Sequence, residues 1–382
     1  MHAAFKRVPF QMGLPDDLCD ISRLIKAAGF QLYVVGGAVR DAVMGIEPHD
    51  YDLATNATPD QVIEVLRKDG CWNIIEVGKS FGVLRVRRMN TNEEYEIATF
   101  RTDVGGNGRH PDSVNFTTIE EDVKRRDFTI NALFYDIQNK EIVDLVGGLA
   151  DIKLGNIRTV GNPEDRFRED RLRVMRAIRF ASKFCYFIDD ATRVAIESDN
   201  NLNGVSPERI HDEFVKSVTG AKDADHLFGI LHDFDMWPRI FPTLKVKEIS
   251  HCERSVPVML ALILGDNEAS VVAKKLNELK YSDIELRQTT FLMNYRNLNP
   301  MTAAKLRKLC VSCHLEHQDL VTFSAHHPDG KQRGLELMHI FEAYMASPPV
   351  KGDVQSLSGY SGKALGEEIQ RREAIIFEDL AR

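Results

Sequence analysis

Apolar residues recur at helical spacing from residue 15 to 28, where Leu18, Ile21, Leu24, Ile25 and Ala28 line one face of a helix opened by Pro15. A short apolar run over 33–35 reads as a buried strand. Gly36 and Gly37 then allow a tight turn, and 38–44 reads as a helix. A second apolar strand carries Asp50 and Asp52, and Thr58-Pro59-Asp60 starts a helix to about 68. Strand-like stretches follow at 72–77, 82–88 and 94–100, with a glycine-containing loop over 104–111 and more strand at 114–118. A helix over 122–133 and a hairpin over 134–143 complete one mixed αβ domain. Beyond residue 145 strand signals nearly vanish. The spacing predicts one long amphipathic helix over 164–184, and helical periodicity recurs at 190–198, 207–219, 223–233, 256–280, 303–312 and 333–346. Pro348-Pro349 breaks the last of these, and a final helix starts near Ala364. The chain shows no internal repeat and no low-complexity tract.

At 382 residues the chain exceeds what one core organises and implies several domains. Its 43% hydrophobic and 28% charged residues are ordinary for a globular protein. No run of 18 apolar residues exists, so no membrane span is expected. The N-terminal stretch lacks the apolar core of a signal peptide, and six scattered cysteines make no disulfide framework, so a cytoplasmic location is expected. The formal charge of −8 argues against indiscriminate nucleic-acid binding. Residues 151–185 depart from it, with nine Lys or Arg against five Asp or Glu, and RNA contact is expected there.

Three stretches carry candidate chemistry. In the first, strand, Gly36-Gly37 turn and helix N-terminus form a phosphate seat, where backbone N–H groups and the helix dipole meet an anion. Arg40 falls one turn inside that helix and can reach phosphates, while Asp41 can anchor Arg40 or cap local backbone. Asp50 and Asp52, one residue apart on a strand, point to one face, and two adjacent carboxylates suit Mg²⁺. Such a site normally takes a third carboxylate, and Glu96, flanked by apolar residues on a strand of the same domain, is the best placed. It reads equally well as an edge-strand surface acid. In the second stretch, Arg126, Asp127 and Asn131 offer donors and acceptors for a ribose hydroxyl and a phosphate, with Glu121 and Lys124 expected to pair within their helix. In the third, Asp170 and Arg173 lie one turn apart on a helix flank that Arg176 and Arg179 extend by threes. An acid beside a guanidinium matches the amino group and neighbouring acceptor that cytosine and adenine present, an order that guanine and uracil lack.

Three other patterns carry no function. Cys310, Cys313 and His314 fit a haem-attachment spacing that belongs to exported proteins. The His211-Asp212 and His232-Asp233 pairs lack the further ligands of a metal phosphohydrolase and read as helix polar residues. Gly78-Lys79-Ser80 lacks the upstream glycine of a P-loop.

Together the three stretches, in the order Gly36 to Asp41, Asp50 to Asp52, Arg125 to Leu133, Gly161-Asn162-Pro163 with Arg166-Phe167, and Glu169 to Arg173, resemble the class II tRNA nucleotidyltransferase and bacterial poly(A) polymerase family. The resemblance implies an α+β nucleotidyltransferase head of DNA polymerase β-like fold with a mixed sheet, followed by an all-α neck, body and tail. The boundaries expected are 1–145, 146–240, 241–320 and 321–382. It further implies that Gly37 and Arg40 hold a triphosphate, Asp50 and Asp52 bind Mg²⁺, and Arg126 and Asp127 contact the nucleotide's sugar and phosphates. Asp170 and Arg173 would template CTP and ATP, supported by Arg176 and Arg179. The stretch 100–110 resembles the flexible loop of CCA-adding enzymes, and 349–353 with 359–366 resembles the tail of their mitochondrial and α-proteobacterial types. Bacterial poly(A) polymerases usually end in a basic extension, and none is expected here. The expected partner is the 3′ end of tRNA, with CTP and ATP as substrates and no DNA. A poly(A) polymerase, or an enzyme adding only CC or only A, is the alternative.

Overall fold

The computed structural model describes residues 6–106, 112–247, 249, 255–295 and 356–380, with isolated positions at 319, 322, 323, 325, 343 and 346. The expectations for 303–312, 333–346, Pro348-Pro349, Cys310, Cys313 and His314, and for 107–111 and 349–353, fall wholly or mostly outside the described residues. The chain divides into two units, Met1–Val205 and Ser206–Arg382.

The first unit is built on eight strands: β1 (Lys6–Pro9), β2 (Leu32–Val35), β3 (Asp52–Thr55), β4 (Trp72–Ile75), β5 (Val83–Arg88), β6 (Glu94–Thr99), and, after a separate hairpin, β9 (Leu133–Asp136) and β10 (Glu141–Asp144). Their order across the sheet is β1-β10-β9-β2-β3-β6-β5-β4. Only β3 and β6 run parallel, which makes the sheet mixed. The central strand β2 is buried throughout because both faces are covered. Leu32 and Val34 join a core with Leu18, Ile21 and Ile25 of α1 (Asp16–Ala27). Tyr33 and Val35 face the other way, with Phe100 and Phe134. The rings of Tyr33, Phe100 and Phe134 meet at 6.0–6.3 Å, and each such pair adds about 1 kcal/mol beyond its buried area.

Local signals set most boundaries. The helix α2 spans Gly37–Val43, and α3 (Pro59–Asp69) opens on a capping box, Thr58 accepting from the Gln61 N–H while the Gln61 side chain accepts from the Thr58 N–H. The hairpin β7 (Arg101–Val104) and β8 (Ser113–Phe116) pairs apart from the main sheet, so the expected loop is flanked by its own ladder.

Two helices expected from periodicity are interrupted. The stretch 122–133 is not one helix: α4 (Ile119–Asp122) passes into a 3-10 turn over Val123–Arg125, the backbone extends at Arg126 and Phe128, and a second 3-10 turn covers Thr129–Asn131. Phe128 bridges to Thr159, and backbone bonds run from Val160 to Asp127 and from Thr129 to Arg158. Those distant partners outweigh the local helical preference. The long helix over 164–184 is likewise two. After α5 (Gly148–Leu154), α6 (Pro163–Glu169) ends at Asp170, whose φ of −147° and ψ of 103° are extended, and α7 runs Leu172–Phe184. Asp170 Oδ1 accepts the Leu172 N–H at 3.2 Å, an aspartate cap in place of helical continuation. Strands do not vanish entirely beyond 145, since β11 (Asn156–Ile157) pairs in parallel with β12 (Phe187–Ile188) before α8 (Asp190–Ser198).

Strand is absent from the described residues of the second unit. Its helices include α9 (Pro207–Gly220), α10 (Ala224–Asp233), α11 (Trp237–Ile240), α12 (Val256–Ile263), α13 (Ala269–Glu278) and α14 (Asp283–Tyr295), with a final helix over Gly362–Leu380. The expected single helix 256–280 is split into α12 and α13 where Asn267 bonds back to the Leu264 and Lys245 carbonyls. No long apolar helix able to cross a membrane exists among the described residues.

Candidate active site

The turn after β2 starts the site. Gly36 has φ 73° and ψ −132°, a conformation that L side chains avoid, while space for a Cβ exists there. The chain thus needs glycine for its torsion. The helix it opens has seven residues, so its dipole is short, and the cations around it carry more of the attraction for an anion than the expected helix terminus does.

Arg40 is 5% exposed and held from every side. It pairs with Asp41 at 2.7 Å, donates to Asn131 Oδ1 at 2.5 Å, and lies 4.9 and 5.3 Å from the ring centres of Phe184 and Phe180 on α7. Asn131 in turn donates to Asp127 at 3.2 Å. Asp127 also accepts two bonds from the Arg176 guanidinium and the Phe128 N–H at 2.7 Å. Burial works against its charge, yet Arg176 and these donors hold the Asp127 carboxyl below the usual range. A continuous polar chain, Asp41–Arg40–Asn131–Asp127–Arg176, therefore ties α2 to α7 through the broken helix at 126–131.

Arg126 stands beside this chain, gripped by the buried Asp122 at 3.0 Å and lying 4.6 Å from the Phe134 ring centre. Lys124 and Glu121 pair with each other, as expected. Arg173 donates to Glu169 at 2.7 Å and to the carbonyls of Arg166 and Arg125 at 2.9 and 3.1 Å, which fixes its guanidinium plane. Asp170 is not one helical turn before it on the same helix. It is the cap between α6 and α7, and its carbonyl accepts the Arg173 N–H.

These groups line one cleft of about 480 Å³. Its walls include Gly36, Gly37, Arg40, Asp52, Arg126, Asp127, Asp170, Arg173, Arg176 and Arg179, with Arg125, Phe180 and Lys183 in addition. The last three escaped the sequence reading. Lys183 had a legible signal: four positions after Arg179, it continues the same helix face. A neighbouring hollow of about 540 Å³ begins at Arg125 and Arg173 and reaches the tip of the β7–β8 hairpin at Gly105 and Gly106.

The acidic group sits at the cleft's edge. Asp52 is the first residue of β3, and Asp50 precedes the strand instead of lying on it. Surrounding protein raises the Asp52 carboxyl pKa, with Arg126 pulling it down and Asp50 pushing it up. Glu96 is the register partner of Asp52 on the parallel strand β6. Its own pKa is raised by desolvation and by Asp52, and its nearest cation is Arg85 at 4.0 Å. Neither Asp50 nor Glu96 lines the cleft itself. No three His, Cys, Asp or Glu side chains converge on one metal position among the described residues. Asp52, its charge disfavoured by Asp50, and Glu96, its charge disfavoured by Asp52, are oxygen donors that fit a hard divalent cation whose remaining ligands come from substrate phosphates and water.

Lys79 is taken up by Asp60 and Glu76, in keeping with the absence of a P-loop. His211 contacts Asp212 and Glu285 within the second unit, and His232 lies in the last turn of α10.

Residues 32–158 match the family of the poly A polymerase head domain. Over 199 residues the chain is 43% identical to a CCA-adding enzyme of Latilactobacillus sakei, which covers 51% of this chain and 48% of the relative. Over 257 residues it is 38% identical to poly(A) polymerase I of Salmonella typhimurium, covering 64% of this chain and 54% of that one. The chain thus spans about half the length of the curated relatives it matches. The Bacillus stearothermophilus CCA-adding enzyme, solved in complex with CTP, superposes with a TM-score of 0.72 at 25% identity, over 96% of this chain and 94% of that structure. The mixed-sheet head and the helical remainder match the fold of that solved enzyme.

Proposed function

We propose that the protein is a CCA tRNA nucleotidyltransferase, which adds or repairs the 3′-terminal C, C and A of tRNA from CTP and ATP without a nucleic-acid template. The observation that carries it is the single cleft in which a glycine turn with Arg40, the carboxylate of Asp52, and the Asp170–Arg173 pair line one space. Phosphate seat, metal edge and base-reading pair are the three parts that template-free nucleotide transfer requires.

In this reaction the tRNA 3′-hydroxyl oxygen attacks the α-phosphorus in line, the new P–O bond forms, and the bond to the bridging oxygen breaks to release pyrophosphate. Asp50 and Asp52, with Glu96 alongside, would hold Mg²⁺, which when bound favours the deprotonated hydroxyl and neutralises charge on the phosphates. Arg40 is locked by Asp41, Asn131 and two rings, so it meets the triphosphate without reorganising. Arg126 and Asp127 flank the sugar and phosphates. Arg173, fixed by three acceptors, and Asp170 present donor and acceptor to the base edge, and Arg176 and Arg179 line the wall between. The hollow beyond Arg125 and Arg173 leaves room for the acceptor end.

Residues 1–145 would form the head, 146–240 the neck with the base-reading helix, 241–320 the body and 321–382 a tail contacting tRNA. The enzyme would act in the cytoplasm, with no DNA or membrane partner. A poly(A) polymerase is the second reading, favoured by the longer match to the Salmonella enzyme. Incubation of tRNA lacking its last three nucleotides with CTP, ATP or both separates them. Two additions with CTP and a third only when ATP is also present support CCA addition, whereas long A tracts with ATP alone establish the second reading.

A further inference from the structure

The row of cleft residues on α7 does not stop at Arg179. Lys183 lies ten positions after Arg173, about 15 Å further along the helix axis, and lines the same cleft. With the base held at Asp170 and Arg173 and the acidic edge at Asp52, the Lys183 end is the end away from the base. It is also the end where Arg40 is pressed between α2 and the rings of Phe180 and Phe184.

The surroundings of Lys183 are those of a cation awaiting an anion. The guanidinium groups nearby are already committed: Arg40 to Asp41, Arg176 to Asp127, Arg126 to Asp122 and Arg173 to Glu169. Lys183 has no carboxylate ion-pair partner among the described residues, and its ammonium stands 5.4 Å from the Phe184 ring centre. Burial and the neighbouring charge of Arg40 push its pKa down, Asp41 opposing and Arg179 adding to the effect. An ammonium crowded by cations on the wall of a cleft is stabilised by an incoming polyanion.

Granting the nucleotidyl transfer proposed above, we infer that Lys183 is the residue that holds the terminal phosphates of the bound nucleoside triphosphate, and hence the pyrophosphate that leaves. The chemical class of its ligand is a linear polyphosphate. The base, the ribose and the acceptor RNA lie outside its reach. Lys183 is then a specificity-determining contact for triphosphate over monophosphate, acting on the same molecule as Arg40 but at its tail.

The test compares the full-length wild type with Lys183→Met, which keeps the aliphatic stem over Phe184, and with Lys183→Arg, which restores charge. Equilibrium binding of CTP, CMP and inorganic pyrophosphate is measured for each by calorimetry, together with KM for CTP and for acceptor tRNA. Lys183→Met is expected to weaken CTP and pyrophosphate about ten-fold, to leave CMP and the tRNA KM unchanged, and to be largely rescued by Lys183→Arg. Equal losses for CMP and CTP, no loss for pyrophosphate, or a loss matched by a lowered unfolding midpoint would overturn the assignment. The binding arm needs no turnover. A wild type that binds pyrophosphate through Lys183 yet adds no nucleotide to tRNA therefore counts against the proposed activity alone, and a wild type that does not bind pyrophosphate counts against the Lys183 assignment.

Discussion

Replacing Asp127 by Asn probes the polar chain that joins the two sides of the cleft. The substitution keeps the shape and the carbonyl-type acceptor but removes the charge opposite Arg176. Asp127 is 12% exposed and Arg176 33% exposed. Breaking a fully buried ion pair costs about 3–5 kcal/mol, and the partial exposure of Arg176 reduces that to about 2 kcal/mol. For a unit of this size the change is about 0.8 M in the urea midpoint. The sign with pH follows from the direction of the shift: the folded Asp127 carboxyl is held below its unfolded value. Its contribution is therefore fully present above about pH 4, the ordinary aspartate range, and is lost as pH falls through the lower folded value. The gap between wild type and Asp127→Asn, followed by urea unfolding, should be full at pH 7 and shrink below pH 4. Nucleotide KM should rise as well, because Arg176 loses its charged tether while Asn131 keeps its Oδ1 acceptor. A variant as stable as wild type at pH 7, or a gap that does not change with acid, would refute the idea that this pair organises the cleft.

Further outcomes follow from the same geometry. Asp52→Asn should abolish nucleotide incorporation while CTP binding, read by calorimetry, survives; retained incorporation would remove the carboxylate from the reaction. Gly36→Ala should cost about 1–3 kcal/mol through backbone strain alone and raise the KM for CTP, since a methyl group has room but the torsion does not suit it; an unchanged melting midpoint would show that the turn relaxes freely. Asp170→Ala should relax discrimination against UTP and GTP in single-nucleotide incorporation, and unchanged selectivity would end its templating role. Phe128→Ala, which empties a fully buried site against Phe180 on α7, should cost about 3–5 kcal/mol in unfolding.

Much of the head was legible because its signals are local. The continuous apolar run of β2, the glycine turn and the Thr58-Pro59 helix start each declare themselves within a few residues. Two breaks were not legible for opposite reasons. The helix expected over 122–133 fails because Phe128 and its neighbours pair with residues 158–160, a contact no short window contains. The break at Asp170 is local, but an aspartate inside a strongly amphipathic run reads as a solvent-facing acid until its side chain is seen to cap Leu172. That break matters to the site, because it releases Asp170 from helical geometry beside Arg173. Lys183 continues the helix face of Arg179 and in that sense was legible, but a lysine there looks solvated until Arg40, from a distant part of the chain, is found beside it. In the second unit the Gly265-Asp266-Asn267 turn between α12 and α13 was a readable stop that apolar periodicity obscured, and α14, with its weaker pattern, was not anticipated.

The most direct measurement is the crystal structure of the protein with CTP and Mg²⁺. The account predicts a cytosine edge against Asp170 and Arg173, an α-phosphate beside Asp52, and a polyphosphate tail running past Arg40 to Lys183. A cytosine bound away from α7, or a triphosphate directed away from the turn at Gly36 and Gly37, would contradict it.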